Sequence, residues 1–227
     1  MKYKKDDEDY NIKEELNNDK YLLIIIFSTI IISIIAFPYL PEKMVTHWNF
    51  SGEPDCTMKR IYASLLFPVL NIFIYFLMLF TPLIDPKRKN YTKFKKAYRF
   101  MRLGIILFML SLHLIIILYN TGYKIDVGKY VFLLLGLLFI LIGRYLPMIK
   151  HNYFIGIKIP WTLANANNWK KTHELGGKLY FITGFIMILS LFLSAKLRFW
   201  IIIISIVLST IISIIYSYIV YKNDNKE

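Results

Sequence analysis

Six long blocks of apolar residues constrain this chain more than any other feature of its sequence. They cover residues 21–38, 61–84, 103–120, 127–148, 179–195 and 199–221. A helix needs about 20 consecutive apolar residues to cross a bilayer core, where each backbone N–H and C=O must be satisfied within the segment. A water-soluble fold could not bury blocks of this length. The sequence therefore predicts an all-α, polytopic integral membrane protein with six transmembrane helices.

The positions of the Lys and Arg residues predict which way the helices run. Of the 28 basic residues, 21 lie in or beside the two tails and the second and fourth connections, and seven lie in or beside the other three connections, with Arg144 and Lys129 at the ends of the fourth block assigned to the nearer side. Because basic residues stay on the cytoplasmic side of short loops, both termini are predicted to be cytoplasmic in a multi-pass protein of the cell membrane. We expect residues 1–20 and 222–227 to be polar tails. The first has too few apolar residues to order itself, so we expect it to be mobile or loosely helical.

The second connection, residues 85–102, interleaves eight basic residues with aromatic ones. Beside a membrane span, a basic segment gains about 1 kcal/mol per Lys or Arg near an anionic leaflet. Tyr91, Phe94 and Tyr98 are spaced to share one face of a helix that would lie on that surface. Lipid anchoring is the favoured interpretation, with no direct nucleic-acid binding. A protein or nucleic-acid partner is the alternative.

The first connection, residues 40–56, is too long to be a simple hairpin between two helices. Residues 51–55 have the composition of a turn, with Gly and Pro two positions apart. Four potential metal ligands lie in this segment, namely His47, Glu53, Asp55 and Cys56. Their spacing matches no known ligand framework, so a structural loop with Trp48 at the interface is favoured over a metal site. We therefore predict no metal and no cofactor.

The fourth connection, residues 151–177, predicts a short helix between spans four and five. Pro160 ends the preceding segment, Thr162 can cap a helix start, and the Gly pair at 176–177 supplies a stop.

That helix would be amphipathic and would lie in the cytoplasmic interface. Ala166, Trp169 and His173 fall on one face, and Trp161 and Trp169 would lie at headgroup level. One interpretation is an anchor that sets the angle of the fifth span. The other is a docking surface for a cytosolic partner, and composition alone leaves both open.

Polar residues inside the predicted spans are few. Only Asn71 and His113 are strongly polar there, and no Asp, Glu, Lys or Arg lies at mid-membrane depth. Ion-coupled carriers normally bury carboxylates, so this pattern argues against a transporter. We expect His113 to form a hydrogen bond between helices rather than to relay protons. No hydrolase or P-loop motif appears, which predicts a protein without catalytic residues.

The connections also carry residue patterns that resemble the SdpI family. Its N-terminal domain of unknown function is matched, after the first span, at Pro41, His47, Trp48, Asn49, Gly52, Pro54 and Asp55. The loop that begins at Asp85 is similar to the family's second loop. The C-terminal SdpI domain is matched at Leu146, Pro147, Lys150, Asn152, Tyr153, Gly156, Ile157, Pro160, Trp161, Thr162, Leu163, Trp169, Lys171, Thr172, His173, Gly176 and Gly177. Three positions depart from the pattern. One is Lys158, where Arg is usual, and a Lys side chain cannot form the bidentate hydrogen bonds that a guanidinium forms with a phosphate or carboxylate.

The resemblance implies a domain at residues 21–84, a basic loop at 85–102 and an SdpI-like domain at 103–221. It further implies a non-catalytic immunity and signal-transduction protein that protects against a secreted membrane-active peptide toxin and recruits a cytosolic repressor. The toxin-sensing residues would be His47, Trp48, Asn49, Gly52, Pro54 and Asp55. The partner-binding residues would be Asn152, Tyr153, Gly156, Lys158, Pro160, Trp161, Trp169, Lys171, Thr172 and His173.

Two other classes stay open on the residues. A small-solute or amphipathic-peptide transporter would use His113 or Asn71, and a membrane-embedded hydrolase would need a metal at His47 or His173.

Overall fold

The structure is a computed structural model that describes residues 10–224 of the chain. Within that range, six helices are long and apolar enough to cross a membrane, namely Lys20–Tyr39, Arg60–Ile84, Arg88–Asn120, Val127–Met148, Ala166–Phe192 and Ala195–Asp224. Each contains one of the predicted apolar blocks or nearly all of it. The predicted all-α, six-span architecture is confirmed.

Eight α-helices and one β-hairpin make up the described part of the chain. The helices are α1 (Ile12–Asn18), α2 (Lys20–Ala36), α3 (Arg60–Ile84), α4 (Lys95–Asn120), α5 (Val127–Tyr145), α6 (Pro160–Ala164), α7 (Ala166–Leu189) and α8 (Ala195–Asp224). The strands are β1 (Lys43–Trp48) and β2 (Pro54–Lys59). Short 3₁₀ turns extend α2 and α5 at Phe37–Tyr39 and Leu146–Met148, and precede α4 at Arg88–Phe94. We call the end of the bundle with β1 and β2 the hairpin end, and the opposite end the terminal end.

The first connection differs from its prediction, because it folds as an antiparallel β-hairpin. Gly52 has a φ of +85°, which a residue with a side chain rarely adopts. The Asn49 side chain accepts hydrogen bonds from Ser51 N at 2.9 Å and Glu53 N at 3.1 Å. This segment is long because it contains two strands as well as the turn.

The fourth connection also differs from its prediction. The short helix between spans four and five is limited to α6, whereas Trp169 and His173 belong to the first turns of α7. The Gly pair does not stop the helix, because it lies where α7 packs against the preceding span. A Cβ on Gly177 would lie 2.6 Å from Pro147 Cγ and 2.8 Å from Gly143 O. The pair therefore permits close helix packing.

The N-terminal segment is more ordered than its composition predicts. Helix α1 starts at an Asn11 cap, and the buried Glu15 and Asp19 both contact the buried Arg102 of α4. Arg102 Nη2 lies 2.9 Å from Glu15 Oε2 and 2.5 Å from Asp19 Oδ2. Charge pairing therefore orders a segment that apolar burial alone could not. Residues 1–9 and 225–227 of the predicted tails lie outside the described part.

The aromatic residues of the second connection do not face lipid. Tyr91, Phe94 and Tyr98 are buried in a cluster at the terminal end together with Trp169 and Tyr10. The lipid-anchoring interpretation of these three side chains is therefore wrong, because they are buried against other residues of the protein.

The two polar residues inside the spans join helices, as expected for His113. Its Nε2 lies 2.9 Å from Ser33 Oγ, and Asn71 Nδ2 donates to Ile106 O at 3.4 Å.

Candidate functional site

The hairpin is fixed to the spans beneath it by side chains that the sequence analysis did not single out. Asn120, at the end of α4, accepts from Val45 N at 2.7 Å and donates to Val45 O at 2.9 Å. One side chain thus satisfies both polar groups of a strand residue at the sheet edge. Arg60 Nη1 donates to Leu40 O at 3.1 Å, and its guanidinium lies over the Phe37 ring. The hairpin is therefore held in place by hydrogen bonds at its edge and its base.

The six predicted toxin-sensing residues all lie in this hairpin, but not all of them are exposed on its surface. His47 and Asp55 point outward, with side chains 67% and 41% exposed and Nδ1 and Oδ1 2.5 Å apart. Asn49 and Gly52 build the turn, and Pro54 is exposed at the start of β2.

Trp48 points toward the helices instead. Its ring packs edge-on against Tyr119 of α4 at a centroid distance of 5.0 Å. Trp48 was predicted to lie at the membrane interface, but its ring packs against protein. Among residues 10–224, no three His, Cys, Asp or Glu side chains are grouped so as to hold a metal ion.

Beneath the hairpin tip lies a cavity of about 620 Å³. Helices α4, α5 and α8 form its walls, which are mostly apolar, and Trp48 and Phe50 contribute to its rim. The volume lies within the range of about 300–1,000 Å³ that is typical of ligand pockets. We call this space the hairpin cavity.

The predicted partner-binding residues lie at the terminal end, where Asp85 organises the junction between the two halves of the chain. Its Oδ2 accepts from Tyr91 Oη and from Tyr153 N, both at 2.9 Å. Asn152 is buried, and its Oδ1 accepts from Phe154 N at 2.9 Å and Ile155 N at 2.8 Å. Asn152 and the Tyr153 backbone therefore shape the fold of the connection.

His173 has a comparable structural role. Its Nδ1 donates to Trp169 O at 2.7 Å and its Nε2 accepts from Ile157 N at 3.0 Å, so the ring is neutral with hydrogen on Nδ1. The ring stacks on Trp169, with centroids 4.1 Å apart. Gly156, with a φ of +121°, leaves room for this ring, because a Cβ there would overlap Nε2.

Only part of the predicted docking set is therefore accessible. Trp169, Thr172 and His173 are buried, as is Asn152. Trp161 is half-buried against Tyr218 and Tyr221 of α8, at centroid distances of 5.2 Å and 6.5 Å. The more accessible members are Tyr153, Lys158, Pro160 and, in part, Lys171.

His151 lies in the same junction and contacts the basic loop. Lys87 Nζ lies 2.8 Å from His151 Nδ1, and the His151 ring packs on Trp169 at a centroid distance of 5.1 Å. Burial, and then the charge of Lys87, lower the pKa of His151 below its ordinary value.

Comparisons with known proteins match both halves of the chain. The profile of the SdpI/YfhL protein family matches residues 148–217, and a domain of unknown function, DUF1648, matches residues 24–72. The chain is 28% identical to Immunity protein SdpI of Bacillus subtilis (strain 168) over 206 residues, which cover 89% of this chain and 95% of that protein.

A second relative is the Uncharacterized membrane protein YbgB of the same strain, 31% identical over 55 residues. That match covers 24% of this chain and 60% of YbgB. No solved structure matches the chain significantly. The chain is therefore similar to the SdpI/YfhL protein family, and its six spans together with these matches make it a multi-pass protein of the cell membrane.

Proposed function

We propose that this protein is a non-catalytic immunity protein that protects its cell against a secreted, membrane-active peptide. The observation that carries the proposal is the similarity to Immunity protein SdpI along nearly the whole of both chains. The hairpin end faces the outside of the cell in this proposal, because 21 of the 28 basic residues lie in or beside the tails and the connections at the terminal end.

The hairpin is the proposed contact surface for the peptide. His47 and Asp55 are exposed on it, while Asn120 and Arg60 hold its backbone against the spans. A rigid, exposed polar surface of this kind can bind a ligand without first paying a large ordering entropy.

Survival of a sensitive host tests the proposal. A bacterium killed by the secreted peptides of the organism that carries this gene should survive when it expresses the chain. Double replacement of His47 and Asp55 by Ala should reduce survival but not the amount of protein in the membrane, because insertion depends on the spans. Lys43→Gln, an exposed change at the base of β1, is the matched control and should have no effect. Unchanged killing in cells with the native chain would refute the immunity role.

We also propose that the terminal end recruits a cytosolic repressor. The surface for this is the accessible part of the predicted set, Tyr153, Lys158 and Pro160, with Lys171 beside it. Lys158→Glu should weaken co-purification of the repressor, whereas Glu174→Gln, on the exposed face of α7, should not. Equal recovery of the repressor with all three chains would exclude this surface.

A further inference from the structure

The hairpin cavity combines apolar walls with one buried cation. Its apolar lining comes mainly from α5 and α8 and includes Val131, Leu135, Phe199, Ile202 and Ile206. Ile203, another lining residue, is 39% exposed on a transmembrane helix, so the cavity reaches the lipid-facing surface. At its other side lies Asp126, whose side chain is 53% exposed to water. The cavity therefore spans from an apolar to a polar boundary.

Arg198 is the cation, and its hydrogen-bonding capacity is only partly used. The residue is 5% exposed, and its Nη2 lies 3.4 Å from Leu193 O and 3.6 Å from Asp126 Oδ2. Arg198 Nε has no hydrogen-bond partner in the described part of the chain. Asp126 is also shared, because its Oδ1 accepts from Lys129 N at 2.9 Å. A buried guanidinium carries five N–H donors, and leaving them unpaired is costly.

A second donor on the cavity lining is unpaired in the same way. Trp48 Nε1 is buried and has no acceptor among residues 10–224. Arg198 and Trp48, two lining residues of the hairpin cavity, thus each keep an N–H group that no residue in the described part of the chain satisfies.

We propose that the hairpin cavity binds an anionic phospholipid from the leaflet at the hairpin end. One acyl chain lies along the apolar walls, and the phosphate accepts from Arg198, whose planar guanidinium matches phosphate oxygens. A lipid is the occupant that the surroundings favour, because the cavity reaches the lipid-facing surface of a transmembrane helix. This inference does not rest on the immunity role.

Quenching of Trp48 fluorescence by brominated lipids tests the proposal. The full-length chain is reconstituted in phosphatidylcholine bilayers with increasing fractions of dibrominated phosphatidylglycerol or, separately, dibrominated phosphatidylcholine. The emission of Trp48 is the difference between the native chain and Trp48→Phe. We expect half-quenching at an about fivefold lower fraction of the anionic lipid, as one Arg–lipid contact predicts. Equal fractions for the two lipids would overturn the proposal.

Charge variants separate Arg198 from the general basic character of this end. Arg198→Gln should abolish the preference for phosphatidylglycerol, and Arg198→Lys should retain part of it. Lys196→Gln removes the same charge from an exposed position two residues away and should leave the preference intact. A preference that survives Arg198→Gln, or that Lys196→Gln abolishes equally, would contradict a site at Arg198.

A cavity-filling variant covers the case in which Arg198→Gln fails to accumulate. Val131→Phe keeps Arg198 but occupies the apolar wall, so both brominated lipids should quench Trp48 less. Quenching that this change leaves unaltered would refute the acyl-chain site. The lipid proposal would also be overturned if neither lipid quenched Trp48. If, in addition, the Arg198→Lys variant lost protection in the survival assay, the cavity would be assigned to a peptide.

Discussion

The positively charged side chain of Arg102 is buried and forms ion pairs with two buried carboxylates, Glu15 and Asp19. We expect Arg102→Met to lower the free energy of unfolding by about 3–5 kcal/mol, because Glu15 and Asp19 would stay buried and the remaining cation beside them in residues 10–224 is the more distant Arg99. Denaturant titration in detergent, followed by far-ultraviolet circular dichroism, measures the change.

An exposed ion pair on the same helix provides the control. Glu14 lies 3.2 Å from Lys95 Nζ at the surface, so Glu14→Gln should cost less than about 1 kcal/mol. Replacing Glu15 by Gln and Asp19 by Asn in addition to Arg102→Met should recover much of the loss, since neither buried carboxylate then carries a charge and Arg99, whose side chain is 29% exposed, reaches solvent. If the triple variant were as unstable as Arg102→Met alone, lost packing and not the unpaired charge would be responsible.

His151 makes the terminal junction sensitive to pH. Its pKa is lowered in the folded protein, so the unfolded chain binds more protons as the pH falls below about 6.5. Its contribution to stability is therefore present above that pH and is lost as the pH falls toward the folded-state pKa. The groups that face His151 are Lys87, Asp85 and the rings of Tyr153 and Trp169.

Comparing unfolding at pH 7.5 and pH 5.5 in the native chain and in His151→Asn measures this contribution. The native chain should lose more stability on acidification than the variant, because His151→Asn removes the titrating ring. The same dependence on pH in both chains would show that other groups are responsible.

For single residues, the sequence motif marked positions that make specific contacts in the structure, but it did not show whether those contacts are with a partner or within the protein. The motif positions Asn152, Trp169 and His173 were identified, but their pattern is the same whether they face a partner or the protein interior. Pairs such as Glu15 and Arg102 stayed hidden, because nothing local joins residues separated by 87 positions.

Helices α5 and α7 pack so closely that the glycines where they touch have no room for a side chain. A Cβ on Gly143 would lie 2.7 Å from Gly177 O and would overlap the Phe181 backbone. We expect Gly143→Ala to cost about 1–3 kcal/mol of unfolding free energy, because backbone cannot yield as a flexible side chain can. Thermal unfolding in detergent provides the measurement.

The matched control lies in the same helix. A Cβ on Gly128 would meet only Asp126 Oδ1, at 3.5 Å, so Gly128→Ala should change stability by about 0.5 kcal/mol or less. If both variants unfold at the native temperature, the two helices are not in the close contact described.

Among the elements, the spans could be predicted because length and composition alone decide whether a helix can cross a bilayer. The span at Val127–Met148 agrees with its predicted range at both ends. The start of the fifth span was misjudged by 13 residues, because the Gly pair at 176–177 is typical both of a helix end and of a close helix contact. The hairpin was missed because its strands are short and half polar.

Over the whole molecule, the chain before the third connection and the chain after it are joined at the terminal end and face each other at the hairpin end. Asp85 and Lys87 connect the first half to Tyr153 and His151 of the second at the terminal end. At the hairpin end, the rings of Phe50 and Phe199 lie at a centroid distance of 6.2 Å.

The six-span arrangement places the hairpin and the start of α7 on opposite sides of the membrane, and thiol labelling in intact cells tests this. Cys56 is exposed on β2, so a membrane-impermeant maleimide should label the native chain without permeabilisation. In a Cys56→Ser chain that also carries Lys170→Cys, the new thiol at the exposed start of α7 should react only after the membrane is opened. Labelling of both thiols from the same side would contradict the three crossings that lie between them. Labelling of position 170 alone in intact cells would invert the orientation and remove the hairpin from contact with any secreted peptide.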